Sequence, residues 1–306
     1  MHVLRNLDQL SDDFRGGALT IGNFDGVHRG HARIVERMTA RARQLGGPAV
    51  VFTFDPHPAK LLAPDRAPTP LCWTERKLDL LCGLGVDAVV LYPTTSEFLH
   101  LSAREFFDQI VRHRLDAKAI VEGQNFFFGH NREGNVQRLA EFCRATGIEL
   151  EVVEPIRLDD QVVSSSRIRR LVAEGKVELA AAMLTEPYRI RGAVVHGAGR
   201  GNRLGYPTAN IDQIDTLLPG EGIYAGRLWL GESPWPAAVS LGPNPTFDEG
   251  RLKIEAYLID YEGSLYGQRV ELDFLARLRD IVRFDSVDDL IAQMDRDVAT
   301  VRNMCA

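Results

Sequence analysis

The stretch Ala18-Leu-Thr-Ile-Gly-Asn-Phe-Asp-Gly-Val-His-Arg-Gly-His31 decides how the rest of the chain is read. Its apolar opening, ending at Ile21, reads as a buried strand. A turn punctuated by Gly22, Gly26 and Gly30 follows, and a helix then runs from about Gly30 towards Gln44. His28 and His31 stand where that helix begins, so both project from one face of its first turn. A helix N-terminus leaves amide donors unpaired and carries partial positive charge, which suits a phosphate chain. Two imidazoles there supply donors for charge that builds on a phosphoryl group during transfer. The expectation is a nucleotide triphosphate site. Two plainer readings stand beside it. The turn is purely structural, or the histidines are half of a zinc site that His57 would have to complete.

Composition bounds the rest. The 306 residues suffice for two domains, and 45% hydrophobic with 25% charged residues is ordinary for a soluble globular protein. A net charge of −6 argues against broad nucleic-acid binding. No apolar run approaches the ~20 residues of a membrane span, and the first residues lack a signal peptide's apolar core. Cys72, Cys82, Cys143 and Cys305 show neither metal spacing nor a disulfide framework, so they read as reduced thiols of a cytoplasmic protein.

Along the front half, strand-like runs Pro48–Phe54, Asp87–Tyr92, Ala117–Val121 and Glu149–Val153 alternate with helical patterns. One helix is expected from Thr74, as cap, to Leu84, with Gly85 as its stop. Ser102 with Glu105 forms a capping box ahead of Phe106, Phe107, Ile110 and Val111, and Asn135–Thr146 is a third helix. Five prolines between Pro56 and Pro70 mark a long loop. Such alternation implies a parallel sheet with its ligand beyond the C-terminal strand ends, where Gly22–His31, Asp55–Pro58 and Gly123–Gly129 all fall. Val163-Ser-Ser-Ser-Arg-Ile-Arg-Arg170 opens a further helix, its hydroxyls either plain caps or, with the arginines, a second phosphate site. A short helix, Glu178–Leu184, follows.

Past Glu186-Pro-Tyr188 the pattern changes to strands at Arg189–Val195, Gly222–Leu230, Ala237–Leu241, Lys253–Asp260 and Arg269–Phe274. They predict a small antiparallel barrel, covered by a helix from Ser286 to about Asn303 through Val287, Leu290, Ile291, Met294 and Val298. His196-Gly-Ala-Gly-Arg-Gly-Asn-Arg-Leu-Gly205 is a glycine-rich loop able to wrap phosphates without the ending of a P-loop. Pro207-Thr-Ala-Asn210 is either an ordinary turn or a pair of oxygen ligands for a magnesium ion carrying phosphates. Glu255, opposite in face to Ile254, Ala256 and Leu258, is either a solvent-side carboxylate or a base for phosphoryl transfer.

Together these motifs resemble the bacterial bifunctional riboflavin kinase/FMN adenylyltransferase family, also called FAD synthetase. The resemblance rests on Gly22–His31, Thr53-Phe-Asp-Pro-His-Pro58, Asn125–Gly129, Ser164–Arg169, Gly205–Asn210, Gly222–Ala225, Asn244-Pro-Thr-Phe247, Glu255 and Leu278-Arg279, collinear over nearly the whole chain. It implies a Rossmann-like nucleotidyltransferase domain with a parallel sheet over residues 1–185, and a mostly β barrel with a C-terminal helix over 186–306. The barrel would phosphorylate riboflavin with Mg²⁺-ATP to FMN, and the front domain would join FMN to AMP, releasing pyrophosphate and FAD. The resemblance places His28 and His31 at the α-phosphate, and Gly22, Asn23, Phe24, Asp25, Gly30, Asn125, Ser164, Ser165 and Arg169 around the nucleotide. It sets Phe54, Pro56, His57 and Phe128 along the flavin. In the kinase it gives Gly197, Arg200, Gly205 and Pro207 to the phosphates, Thr208 and Asn210 to magnesium, Glu255 to the ribityl hydroxyl as base, and Arg279 to the flavin. Ser166 stands where the family commonly has threonine, Asn202 where arginine is usual, and Val121–Asn125 differs slightly. Another nucleotidyltransferase, or a flavin-storage protein, are the rival readings; the first leaves the barrel without a task, and the second predicts loss of the catalytic groups.

Overall fold

Strands β1 (His2–Leu4), β2 (Ala18–Ile21), β3 (Ala49–Phe54), β4 (Ala88–Tyr92), β5 (Ala119–Gly123) and β6 (Glu149–Val153) form one six-stranded sheet in the order β1-β4-β3-β2-β5-β6, every pair parallel. This computed structural model describes residues 1–197, 199–244, 246 and 249–305, the side chains of Arg200, Arg203, Asn244, Glu249 and Arg251 excepted. Its residues fall into two compact units, the first comprising Met1–Thr69 and Trp73–Ser164, the second Pro70–Cys72 and the chain from Ser165 onward.

In the first unit successive strand residues serve opposite faces of the sheet, as the two-residue period requires. Leu19, Val50, Phe52, Val90 and Ile120 pack on one side with α3 (Ala103–Phe106), its π-helical continuation Phe107–Arg114, and α4 (Val136–Thr146). Ala18, Val51, Val89 and Val121 pack on the other with α1 (Arg29–Leu45) and α2 (Thr74–Gly83). Both faces are covered, so the strands read as continuous apolar runs. The chain leaves β2 towards β3 on one side, while β5 joins its other side after β4. The crevice between β2 and β5 is therefore the topological switch point, where α/β sheets bind ligands.

Three local expectations need correction. Thr74 is the first residue of α2 rather than its cap, and its hydroxyl donates to Asp55 Oδ2 at 2.9 Å. The helix behind the Ser102–Glu105 capping box widens into a π-helix, a turn that keeps Phe106, Phe107, Ile110, Val111 and Leu115 all in the core. The proline-rich loop contains a helical turn at Ala59–Leu62, and the Asp55–Pro56 bond is cis.

In the second unit α5 (Ser165–Ala173) and α6 (Val177–Met183) precede a closed antiparallel barrel. Its strands are β7 (Tyr188–Val195), β8 (Thr208–Asp212), β9 (Gly222–Leu230), β10 (Ser233–Asn244), β11 (Glu249–Leu258) and β12 (Arg269–Arg279), in the order β7-β8-β11-β10-β9-β12. Ile190, Leu228, Val239, Ile254, Ala256 and Leu272 fill it. On its outer face the fully buried Asp273 receives hydrogen bonds from Arg189, Arg227 and Trp229, so this carboxylate is paired rather than orphaned.

The final helix α7 (Val287–Cys305) lies on the outer face over Ala225, Ala238, Tyr257 and Ala276, as expected, with Val298 of the expected stripe in that contact. Val301 is its fully buried apolar residue, whereas Val287 is exposed. Asp297 is buried among these apolar positions.

Candidate active sites in the two units

At the C-terminal end of β2 the backbone passes through a tight turn in which Phe24 and Val27 adopt φ of 48° and 37° beside Gly26 at 78°. Only strong packing holds non-glycine residues there, and both side chains are buried. The turn delivers His28 to the N-cap of α1, where its Nδ1 accepts the His31 backbone N–H at 3.3 Å. An imidazole accepting at Nδ1 carries its proton on Nε2 in the neutral ring. The two rings stack at 3.6 Å and 14°. Gly30 makes this possible, since a Cβ there would stand 3.1 Å from His28 Cε1 and Nδ1.

His31 is also pressed against Phe24, with ring centroids 5.0 Å apart. Burial first, then the neighbouring His28 and Lys77, holds its pKa well below the ordinary imidazole range, so it stays neutral. His31 Nδ1 and Asn23 Oδ1 are buried and, among the described residues, have no hydrogen-bond partner. Orphaned buried polar atoms at a helix N-terminus are what a ligand would satisfy.

The structure thus gathers Gly22, Asn23, Phe24, Asp25, His28, Gly30 and His31 at one sheet edge. Phe54 joins an aromatic group with Phe52 and Phe98 at the end of β3. The Pro56 carbonyl accepts from Thr94, and His57 Nδ1 caps the following turn at Ala59. Asn125 is exposed in the turn after β5. Phe128 is packed in the core against Phe106 and Phe126, while Phe127 is the exposed ring of that run. Ser164 ends the first unit, and Ser165 and Arg169 lie on α5 in the second.

Two side chains at this edge escaped the sequence reading. Glu122, buried in the crevice between β2 and β5, accepts the Ile21 amide at 2.6 Å and the Thr20 hydroxyl at 3.4 Å. Burial pushes its pKa well above the carboxylate range. Lys77, on the inner face of α2 beside Leu78 and Leu81, is also buried and donates to the Phe54 carbonyl at 3.4 Å. Each is a charged residue inside an apolar stripe, a signal present in the sequence.

In the second unit a cavity of about 450 Å³ is lined by Gly197, Pro207, Thr208, Asn210, Glu255 and Arg279, among others. Pro207-Thr-Ala-Asn210 is not a turn, because Thr208–Asp212 is strand β8. Thr208 and Asn210 alternate on it to one face, and Asn210 lies directly opposite Glu255 on β11. Glu255 in turn faces Ser240 on β10. Ile254 and Ala256 point into the barrel, so the cavity occupies the outer face, roofed by Leu290, Met294 and Val298 of α7. The outward Glu255 is therefore half-buried rather than solvated.

The glycine loop closes directly on the polar pair. A Cβ at Gly197 would lie 2.3 Å from Asn210 Nδ2, and one at Gly201 2.3 Å from the Tyr206 carbonyl and 3.2 Å from Thr208 Oγ1. Gly205, at φ 86°, turns the chain but does not line the cavity. The side chain of Arg200, and Pro245 and Phe247 of Asn244–Phe247, lie outside the described residues; Thr246 lines the cavity and accepts the Phe284 amide.

Arg279 is clamped by Asp297 of α7, donating from Nε at 3.1 Å and from Nη2 at 2.7 Å to Oδ2. Gln293 donates to the other oxygen of that carboxylate at 2.9 Å. The Tyr206 hydroxyl bonds Asp295, and burial with that carboxylate pushes its pKa up to about 12.

Among the described residues, no three His, Cys, Asp or Glu side chains cluster as a metal site, and no helix is long and apolar enough to cross a membrane. A family model described as FAD synthetase matches residues 10–167, and one described as riboflavin kinase matches 184–305. The bifunctional riboflavin kinase/FMN adenylyltransferase of Pseudomonas fluorescens is 35% identical over 100% of this chain and 98% of its own. That of Escherichia coli K12 is 34% identical over 99% and 97%. A crystal structure described as a macrolide-efflux protein from Streptococcus pneumoniae shares the fold over 98% of both chains, with 31% identity and a TM-score of 0.88.

Proposed function

The chain belongs to the bifunctional riboflavin kinase/FMN adenylyltransferase family, and we propose that its two reactions divide between the sites described, near residues 1–185 and 186–306. It phosphorylates riboflavin with ATP and adenylylates the resulting FMN to FAD. The observation that supports the kinase assignment is the cavity in which Asn210 and Glu255 face each other across paired strands.

In that cavity Glu255 accepts the proton of the terminal ribityl hydroxyl as its oxygen attacks the γ-phosphorus, and ADP leaves. Thr208 and Asn210 offer the hard oxygen ligands that Mg²⁺ prefers, and the missing side chain at Gly197 lets the loop close onto that carboxamide. Bound magnesium would neutralise phosphate charge there. Gly205, Pro207 and Arg200 belong to the phosphate loop, and Arg279, fixed by Asp297, faces the flavin.

At the first site an FMN phosphate oxygen attacks the α-phosphorus of ATP and pyrophosphate departs. His28 Nε2–H and neutral His31 donate to the oxygens on which charge builds, without protein nucleophile or proton transfer. Gly22, Asn23, Phe24, Asp25, Gly30, Asn125 and Ser164 hold the nucleotide, while Phe54, Pro56 and His57 border the flavin. Four free cysteines fit a reducing cytoplasm.

The test is a product assay with riboflavin, ATP and magnesium. His31→Ala should cut FAD formation by about 10²–10³-fold while FMN accumulates. Glu255→Gln should lower FMN formation by about 10²–10⁴-fold and leave FMN-to-FAD conversion intact. Equal loss of both products in either variant would refute the division of labour.

A further inference from the structure

Lys77 is a buried lysine with no counter-ion among the described residues. Its exposure is 8%, and among the described residues its one hydrogen bond is the long contact, 3.4 Å, to the Phe54 carbonyl at the end of β3. Among the described residues no carboxylate lies within ion-pair distance of it. Asp55, next in sequence to that carbonyl, is engaged by the Thr74 hydroxyl instead. Among the described residues two of the three amine donors are thus unmet. Burying a charge without a partner is costly enough that proteins retain it where a ligand supplies the opposite charge. The ammonium lies near enough to the histidine pair for its charge to be felt at His31.

We propose that Lys77 binds the phosphate monoester of FMN and holds it against the α-phosphate of ATP. This rests on the assignment of adenylyl transfer to the histidine pair. The reaction brings two anions together, and the histidines serve the triphosphate. The nucleophile's own phosphate carries about two negative charges at neutral pH and must approach the α-phosphorus despite repulsion. A cation between the end of β3 and the histidines removes that repulsion. The FMN oxygen forms its bond to the α-phosphorus, the bond to the bridging oxygen breaks, and pyrophosphate leaves with the electron pair.

The experiment compares Lys77→Met, Lys77→Arg and His31→Ala in the full chain, measuring FAD formation, the KM values for FMN and ATP, riboflavin kinase activity and Tm. Lys77→Met should raise KM for FMN by about 10- to 100-fold, the worth of one charge-assisted hydrogen bond. KM for ATP and the kinase rate should stay within about threefold. Lys77→Arg should recover most of the loss. Tm should hold or rise in Lys77→Met, since a buried unpaired charge is removed. A rise in KM for ATP instead would assign the ammonium to the triphosphate and overturn the proposal. A fall in Tm would overturn the premise that its charge is uncompensated. Normal FAD formation in Lys77→Met with its loss in His31→Ala refutes the lysine alone; normal FAD formation in His31→Ala refutes the site.

Discussion

Gly197→Ala separates catalysis from stability in the kinase unit. Gly197 is not in the left-handed region, so a methyl group there adds only bulk. That methyl would stand 2.3 Å from Asn210 Nδ2, 2.6 Å from Cγ and 2.7 Å from Oδ1. Ordinary contact begins near 3.4 Å, so the carboxamide must retreat by about 1 Å. A side-chain terminus moves cheaply, and the cost in stability should stay within about 1 kcal/mol. Displacing a ligand residue by about 1 Å is expensive for chemistry, on the order of 10²-fold. Chromatographic separation of riboflavin, FMN and FAD should show FMN formation down about 10- to 100-fold with KM for Mg²⁺-ATP raised. FAD formation from supplied FMN should be unchanged. Gly201→Ala is the contrast, because its methyl meets the Tyr206 carbonyl at 2.3 Å and the backbone itself must yield. Full kinase activity in Gly197→Ala would refute the role given to Asn210, and a large drop in Tm would refute the claim that its carboxamide moves freely.

Other perturbations follow from the buried charges. Glu122 is held neutral by burial, so its contribution to stability is present below the ordinary carboxylate range and lost as pH rises through its raised pKa. Glu122→Gln keeps an acceptor for the Ile21 amide, and its Tm should exceed that of the parent by roughly 2–4 °C more at pH 8 than at pH 5; a constant difference would contradict a titrating Glu122. Asp297→Ala strands Arg279, whose side chain is 21% exposed, and should cost about 2–3 kcal/mol, below the full value for a buried pair. Its KM for riboflavin should rise about tenfold, which thermal denaturation and initial rates would check.

Periodicity made much of this architecture readable. Val51 and Phe52 serve opposite faces of a doubly covered sheet, which makes β3 an unbroken apolar run, while Ile254 and Ala256 alternate with Glu255 in the barrel. β1 is three residues long and pairs at the edge with β4, too short for any period to register. β8 was hidden because two of its residues, Thr208 and Asn210, carry chemistry rather than hydrophobic pattern. The π-helical widening at Phe107–Arg114 has no local cue. Lys77, Glu122 and Asp297 interrupt apolar stripes, and only the fold reveals what each polar end meets.

His28 ties chemistry to folding. Through Nδ1 it closes the first turn of the helix that carries Val35, Met38 and Ala42 into the core. A serine or aspartate at this position would restore the cap but remove the imidazole. A lineage abandoning nucleotidyl transfer would therefore loosen its own scaffold on losing this histidine, unless a substitute cap arose first.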